Sequence, residues 1–166
     1  YRELARTFLL SMLTVGAGFL LHELAHKVVA VRFGQVAAFR ADYRMLGFAI
    51  VGALVGFLFA APGAVVHRGR ITAKQNGLIA LAGPVTNLLL AVVFLVPFVA
   101  VLAVGSGGFL WAVARRGLQI NLLLAGFNML PFGPLDGRKI RAWSTPIWAA
   151  VAVPSLVLAV GALFVL

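Results

Sequence analysis

Hydrophobic positions in this 166-residue chain come in long runs broken by short polar stretches. Strict alternation, the mark of half-buried strands, is nearly absent. The run Phe8 to Leu21 carries no charge and leads into "HELAHKVV", which predicts a first helix from about Ala5 to Phe33. Its fourteen residues before His22 cover about 21 Å of helix, which places His22 roughly two-thirds of the way through a ~30 Å hydrocarbon layer. The segment "GQVAAFRADYR" (34–44) alternates loosely and predicts a loop with a strand from Val36 to Tyr43. Residues 45–66 are uncharged and long enough to span, but their glycines and the Pro62-Gly63 turn signal argue against a clean helix. A further helix is expected from near Gly77 or Pro84 to Val104, kinked at Pro97. Another runs from Phe109 to Met129, with Asn121 and Asn128 on one face, and breaks at "PFGPLDG" (131–137). The last covers Pro146 to Leu166.

Composition turns these runs into a class. The chain is 63% hydrophobic and 11% charged, with a mean hydropathy of +1.07. A soluble fold cannot hide that much apolar surface, so the expected class is an all-α polytopic membrane protein, one membrane-embedded domain over 1–166. Net charge is +10, yet the basic residues fall between the apolar runs, as interface anchors rather than a nucleic-acid patch. Cysteine is absent, which removes disulfides, thiolate ligands and thiol nucleophiles. The N-terminal run continues into HELAH without a small-residue cleavage site, unlike a cleavable signal. The chain starts at Tyr1 and stops inside an apolar run, as a fragment lacking terminal helices would.

Acids are scarce, and that scarcity organises the chemistry: only Glu3, Glu23, Asp42 and Asp136 are present. Histidines at i and i+4 share a helix face, so His22 and His26 can hold one metal ion. Glu23 flanks that face, where it could take a proton from water at the metal. An acid within a membrane helix costs about 2.5–3.5 kcal/mol on insertion scales, so Glu23 needs a partner or a polar cavity. Zinc bound by an HExxH pair normally takes a third protein ligand. Glu3 lies at the far end of the same helix from His26, Asp42 sits in a charged loop, and His67 opens a basic loop. Asp136 remains, in "NMLPFGPLDGRK", where prolines and glycines interrupt a membrane helix. Irregular backbone at membrane depth is tolerated only when buried in protein or lining a water-filled cavity.

HELAH in a membrane helix, "AGPVTN" (82–87) and "NMLPFGPLDG" (128–137) together resemble the site-2 protease family of zinc intramembrane proteases. The resemblance implies one Zn2+ held by His22, His26 and Asp136, with Glu23 as the catalytic base. It further implies that Asn128 binds the substrate backbone or oxyanion. Asn87 matches the Gly-Pro-x-x-Asn asparagine, for which an interhelical hydrogen bond is an equal reading. Arg138 departs from the pattern, since many members carry a second glycine there. The implied fold is a three-helix catalytic core plus a flanking helix, with strands between the first two core helices. "VAAFRADY" and "FAAPGAVVH" are the candidate strands. Edge pairing with a substrate and plain interface packing are open readings for them. The implied partner is a transmembrane protein substrate, cut within or near its membrane segment to release a tethered regulator. Oligomeric state is left open.

The motifs also constrain topology. Both HELAH and Asp136 lie toward the exit ends of their helices, so these helices must run the same way to share an ion. A crossing by 45–66 would make them antiparallel; a re-entrant element or hairpin would not. With a crossing, Arg2, Arg6, Arg68, Arg70, Lys74, Arg138, Lys139 and Arg141 share a side, 8 against 6. Without one, residues 27–76 and 138–141 share a side carrying 10 basic residues against Arg2, Arg6, Arg115 and Arg116 on the other. The positive-inside rule favours the second, with the site toward the cytoplasmic face. Rival readings fare worse. A zincin of another type commonly uses a downstream glutamate, and none follows Glu23. A metal-holding protein without catalysis would have no need of Glu23, and a transporter would need more acids along a path.

Overall fold

The computed structural model describes residues 1–54, 63–105 and 107–166. Helix α1 spans Arg2–Arg32, with a π-helical stretch at Met12–Gly16. It stops where Gly34 takes φ 74°. The Gly34 N–H donates to the Val31 carbonyl and the Gln35 N–H to the Ala30 carbonyl, a Schellman closure in which only glycine adopts the left-handed turn without penalty. Strand β1 (Val36–Ala41) follows, then α2 (Tyr43–Leu54) and β2 (Gly63–Arg68). Beyond them lie α3 (Ala73–Val104), α4 (Phe109–Asn128), α5 (Asp136–Trp143) and α6 (Thr145–Val165).

The two strands pair antiparallel, with Ala41 opposite Gly63 and Val36 opposite Arg68. Residues 41 and 63 therefore lie side by side; the expected re-entrant element at 45–66 falls in part on 55–62, outside the described residues. The expected strand ends at Ala41 rather than Tyr43, because Asp42 starts a helix: its Oδ1 accepts from the Arg44 N–H at 3.0 Å. The first four residues of "FAAPGAVVH" belong to 59–62, outside the described residues.

Helix α3 begins earlier than Gly77. Thr72 and Gln75 form a reciprocal capping box that starts the helix at Ala73, satisfying two otherwise orphaned N–H groups. It then continues through Pro84 and Pro97 to a left-handed Gly105.

Side-chain contacts fix the helix directions. Residues 18, 22 and 26 of α1 meet 87 and 79 of α3, so these two run antiparallel. Asn87 meets Asn121, and Phe94 lies over Gly117, so α4 runs antiparallel to α3 and parallel to α1. Gly126 packs against Ala159 and Gln119 donates to the Ala162 carbonyl, which sets α6 antiparallel to α4. Small residues permit this close approach, as is usual between membrane helices. The Trp148 indole also ties α6 to the carbonyl of Met129, at 2.9 Å.

Among the described residues, α1, α3 and α6 are long and apolar enough to cross a membrane. Each exposes large apolar side chains, including Phe8, Val96 and Phe164, as an all-α membrane protein does toward lipid. Helix α4 is not one of the three. Arg115, Arg116, Gln119, Asn121 and Asn128 dilute its hydropathy; the two arginines are exposed, whereas Asn121 is wholly buried between neighbours. Two apolar clusters hold the bundle, one around Met129, Ile140, Ala80 and Ala152, the other around Leu118, Leu122, Ala91 and Ala162.

Candidate metal centre

His22 and His26 stand one turn apart on α1, buried at 4% and 8% exposure. Between α4 and α5 the chain turns through 129–135, with Gly133 at φ 61°. Asp136 opens α5, and Gly137 is pressed so closely on the carbonyls of Met129 and Leu130 that a Cβ would collide with them. That packing brings the Asp136 carboxylate under α1. Its Oδ2 lies 3.3 Å from His22 Nε2 and 3.1 Å from His26 Nε2. The two Nε2 atoms are 3.0 Å apart.

Hydrogen bonds behind the rings set what these atoms are. His26 Nδ1 lies 2.7 Å from the Ile79 carbonyl, which can only accept, so Nδ1 carries the proton. His22 Nδ1 lies 2.6 Å from Asn87 Oδ1. The Asn87 amide donates through Nδ2 to the Gly18 carbonyl at 3.2 Å and to Asn121 Oδ1 at 2.9 Å. Its oxygen therefore faces His22, and again Nδ1 is the donor. In the metal-binding form of each ring, neutral with Nδ1 protonated, the Nε2 lone pair points at the Asp136 carboxylate.

Three mutually facing acceptors repel one another, and a cation among them reverses the sign. For a tetrahedral zinc with bonds of about 2.0–2.1 Å, ligand atoms stand about 3.3 Å apart, close to the separations here. Anchored ring nitrogens of this kind are the usual outer shell of a zinc histidine. Zn2+ thus fits the donor set His22, His26 and Asp136. Lys139 Nζ reaches Asp136 Oδ1 at 3.3 Å, leaving Oδ2 to face the rings.

A cavity of about 90 Å3 opens beside this cluster, lined by Glu23, Asn128, Asn76 and Lys139 as well as the three donors. That is room for about three waters. Glu23 is 8% exposed there. Asn128 donates Nδ2 to the Leu124 carbonyl of its own helix at 2.9 Å. Asn87 does not reach the cavity lining; it sits wholly buried behind His22, so its interhelical reading is the one realised. Of the remaining acids and histidines, Asp42 caps α2.

Three contributors were not singled out from sequence. Gly83 lies against both rings: a Cβ there would stand 2.5 Å from His22 Nε2 and 2.6 Å from His26 Cε1. Its signal was its place in "AGPVTN". Asn121 was visible only as an apolar-helix asparagine, and Lys139 as one of several basic residues after Asp136. A Gly83→Val variant is expected to displace an imidazole and lower zinc affinity about 100-fold, comparable to strong outer-shell lesions. Chelator competition on the purified variant measures this, and parent-like affinity would show that the rings can yield.

Neither a protein-family model nor a solved structure matches the chain. Curated proteins do. The chain is 46% identical over 150 residues to "Putative zinc metalloprotease MJ0611" of Methanocaldococcus jannaschii, covering 89% of this chain and 76% of that protein. YwhC of Bacillus subtilis, named in the same form, is 36% identical over 78% of this chain and 66% of its own length. Rip3 of Mycobacterium tuberculosis, likewise so named, is 35% identical over 76% of this chain but only 29% of its length. The chain belongs to the zinc metalloprotease family of these relatives, and its motifs resemble the site-2 protease family.

Proposed function

We propose that the chain is a zinc-dependent endopeptidase that cuts transmembrane protein substrates within or near their membrane segments. One observation carries this reading. The only described cluster of metal-ligating side chains, His22, His26 and Asp136, is buried beside Glu23 among helices whose outer faces suit lipid.

In this reading the two Nε2 atoms and Asp136 Oδ2 hold the metal. When bound, zinc supplies a Lewis acid that polarises a carbonyl and brings the pKa of water near 7. Glu23 takes the proton of the attacking water and returns it to the leaving amine, keeping one carboxylate in both steps. Asn128, at the cavity, holds the substrate backbone or the developing oxyanion through the amide N–H that Leu124 does not occupy. A helical substrate hides its carbonyls in hydrogen bonds, so it must unwind to reach the cavity. The hairpin of β1 and β2 offers an edge to which such an unwound strand could add. Arginines and lysines at 27–76 and 138–141 favour the cytoplasmic face for this end of a multi-pass chain. The biological role in this reading is release of a tethered regulator.

Reconstituted proteoliposomes carrying a single-pass substrate test the proposal by mass spectrometry of the products. Cleavage inside or within a few residues of the membrane segment, lost on zinc chelation, is expected. Cleavage confined to soluble loops would overturn it.

A further inference from the structure

The protein must settle which imidazole nitrogen of His22 is free for a metal, and Asn87 cannot settle this alone. An asparagine amide presents an acceptor on one side and donors on the other, and flipping it would reverse the request made of His22. The orientation is fixed from two sides, by the Gly18 carbonyl of α1 and, through the shorter bond, by Asn121 of α4. Asn121 Nδ2 donates to the Gly117 carbonyl at 2.8 Å. A backbone carbonyl can only accept, so this bond has one direction. Asn121 Oδ1 is thereby turned to Asn87 and accepts from its Nδ2 at 2.9 Å. The Gly18 carbonyl takes the other Nδ2 proton at 3.2 Å. With both donors committed, Asn87 must show Oδ1 to His22 Nδ1, 2.6 Å away. Asn87 and Asn121 are both 0% exposed, so water is not there to substitute for either. A Cβ on Gly18 would lie 3.0 Å from Asn121 Oδ1, which shows how tightly α1 closes over the pair.

We propose that Asn121 is a positioning residue that acts through Asn87 to hold His22 in its Nδ1–H tautomer, with Nε2 unprotonated and directed at the metal site. The relay crosses three helices, from the Gly117 carbonyl on α4 through Asn87 on α3 to His22 on α1. Its force comes from burial. A mismatched donor or acceptor in a dry interior costs far more than in water, so the anchored carbonyls decide every later bond. Asn121 touches neither metal nor substrate; its product is the protonation pattern of a ring two side chains away. The inference rests on the reading of His22 as a ligand only for its consequence, since the tautomer itself is a property of the metal-free protein.

The test uses the full chain in detergent with 15N-labelled histidine, in the parent, Asn121→Leu, Asn121→Asp and His22→Ala. Long-range 15N–1H correlation of the metal-free protein reads the His22 tautomer, and chelator competition reads zinc affinity. The parent is expected in the Nδ1–H form. Leucine keeps the bulk but removes the nearer of the two acceptors that hold the Asn87 amide, leaving the Gly18 carbonyl at 3.2 Å, so N121L should populate the Nε2–H form in part and bind zinc about tenfold more weakly, the lower end of outer-shell lesions. A buried carboxyl at 121 is held protonated; it can donate its O–H to the Gly117 carbonyl and accept from Asn87 with its other oxygen, so N121D should keep the parent tautomer and bind zinc more tightly than N121L. Should N121L fail to fold, Asn121→Ala replaces it with the same expectation. An unchanged tautomer in the leucine or alanine variant, or a lost one in N121D, overturns the relay. H22A separates the two claims: if it keeps zinc, the ligand reading fails, while the tautomer data still judge the relay.

Discussion

Glu23→Gln is expected to lower kcat by between about 10²- and 10⁴-fold, the span general-base groups contribute, while zinc stays bound. Glutamine matches glutamate in shape, so the 8% exposed position on α1 keeps its packing. What it loses is the capacity to accept a proton and pass it on. Three donor atoms from other residues hold the metal, so the variant separates catalysis from assembly of the site. Single-turnover cleavage of a reconstituted substrate, with metal analysis of the same sample, measures both. An E23Q protein that keeps zinc and cleaves at the parent rate would remove Glu23 from the reaction. One that loses zinc would make Glu23 part of the binding set.

Asp136→Ala has the other large expected effect, on the metal. The substitution removes the single anionic donor and leaves two neutral imidazoles. It also releases Lys139, whose ammonium sits 3.3 Å from Oδ1 in the parent, to stand uncompensated beside a dication. Both changes act in one direction, so zinc affinity should fall by more than the roughly 100-fold that outer-shell changes reach. Asp42→Ala is the control, because Asp42 caps α2 in an exposed segment and should leave zinc unchanged. Retention of zinc by D136A with loss in D42A would contradict both the ligand set and the parallel course of α1 and α4.

Much of this was legible because the sequence is so poor in acids. With four carboxylates in the chain, a two-histidine helix left few choices for a third ligand, and the turn-forming residues around Asp136 marked where backbone could bend inward. The need for α1 and α4 to run the same way likewise followed from motif positions, and the pairing of Ala41 with Gly63 brings together the two ends of the segment between them. Helix ends were harder. The start of α3 was placed late because apolar periodicity begins near Gly77, while the Thr72–Gln75 capping box that starts the helix is a polar signal. The π-helical stretch at Met12–Gly16 left no trace in residue types. Helix α5 is amphipathic and short, and followed too closely on a proline-rich turn to be expected. The Asn121–Asn87–His22 chain was invisible for a general reason: its bonds join three helices, and sequence spacing reports only neighbours on one. Gly83 belongs with it, since the absence of a side chain is meaningful only once the two rings it accommodates are in place.

Zinc K-edge absorption of the purified parent chain tests the central claim most directly, since it reports the ligands of the bound metal itself. The account predicts one zinc per chain with scattering from two imidazoles and light-atom neighbours at about 2.0–2.2 Å. Fewer than two imidazoles, a second metal within a few ångströms, or a chain that binds no zinc would contradict it.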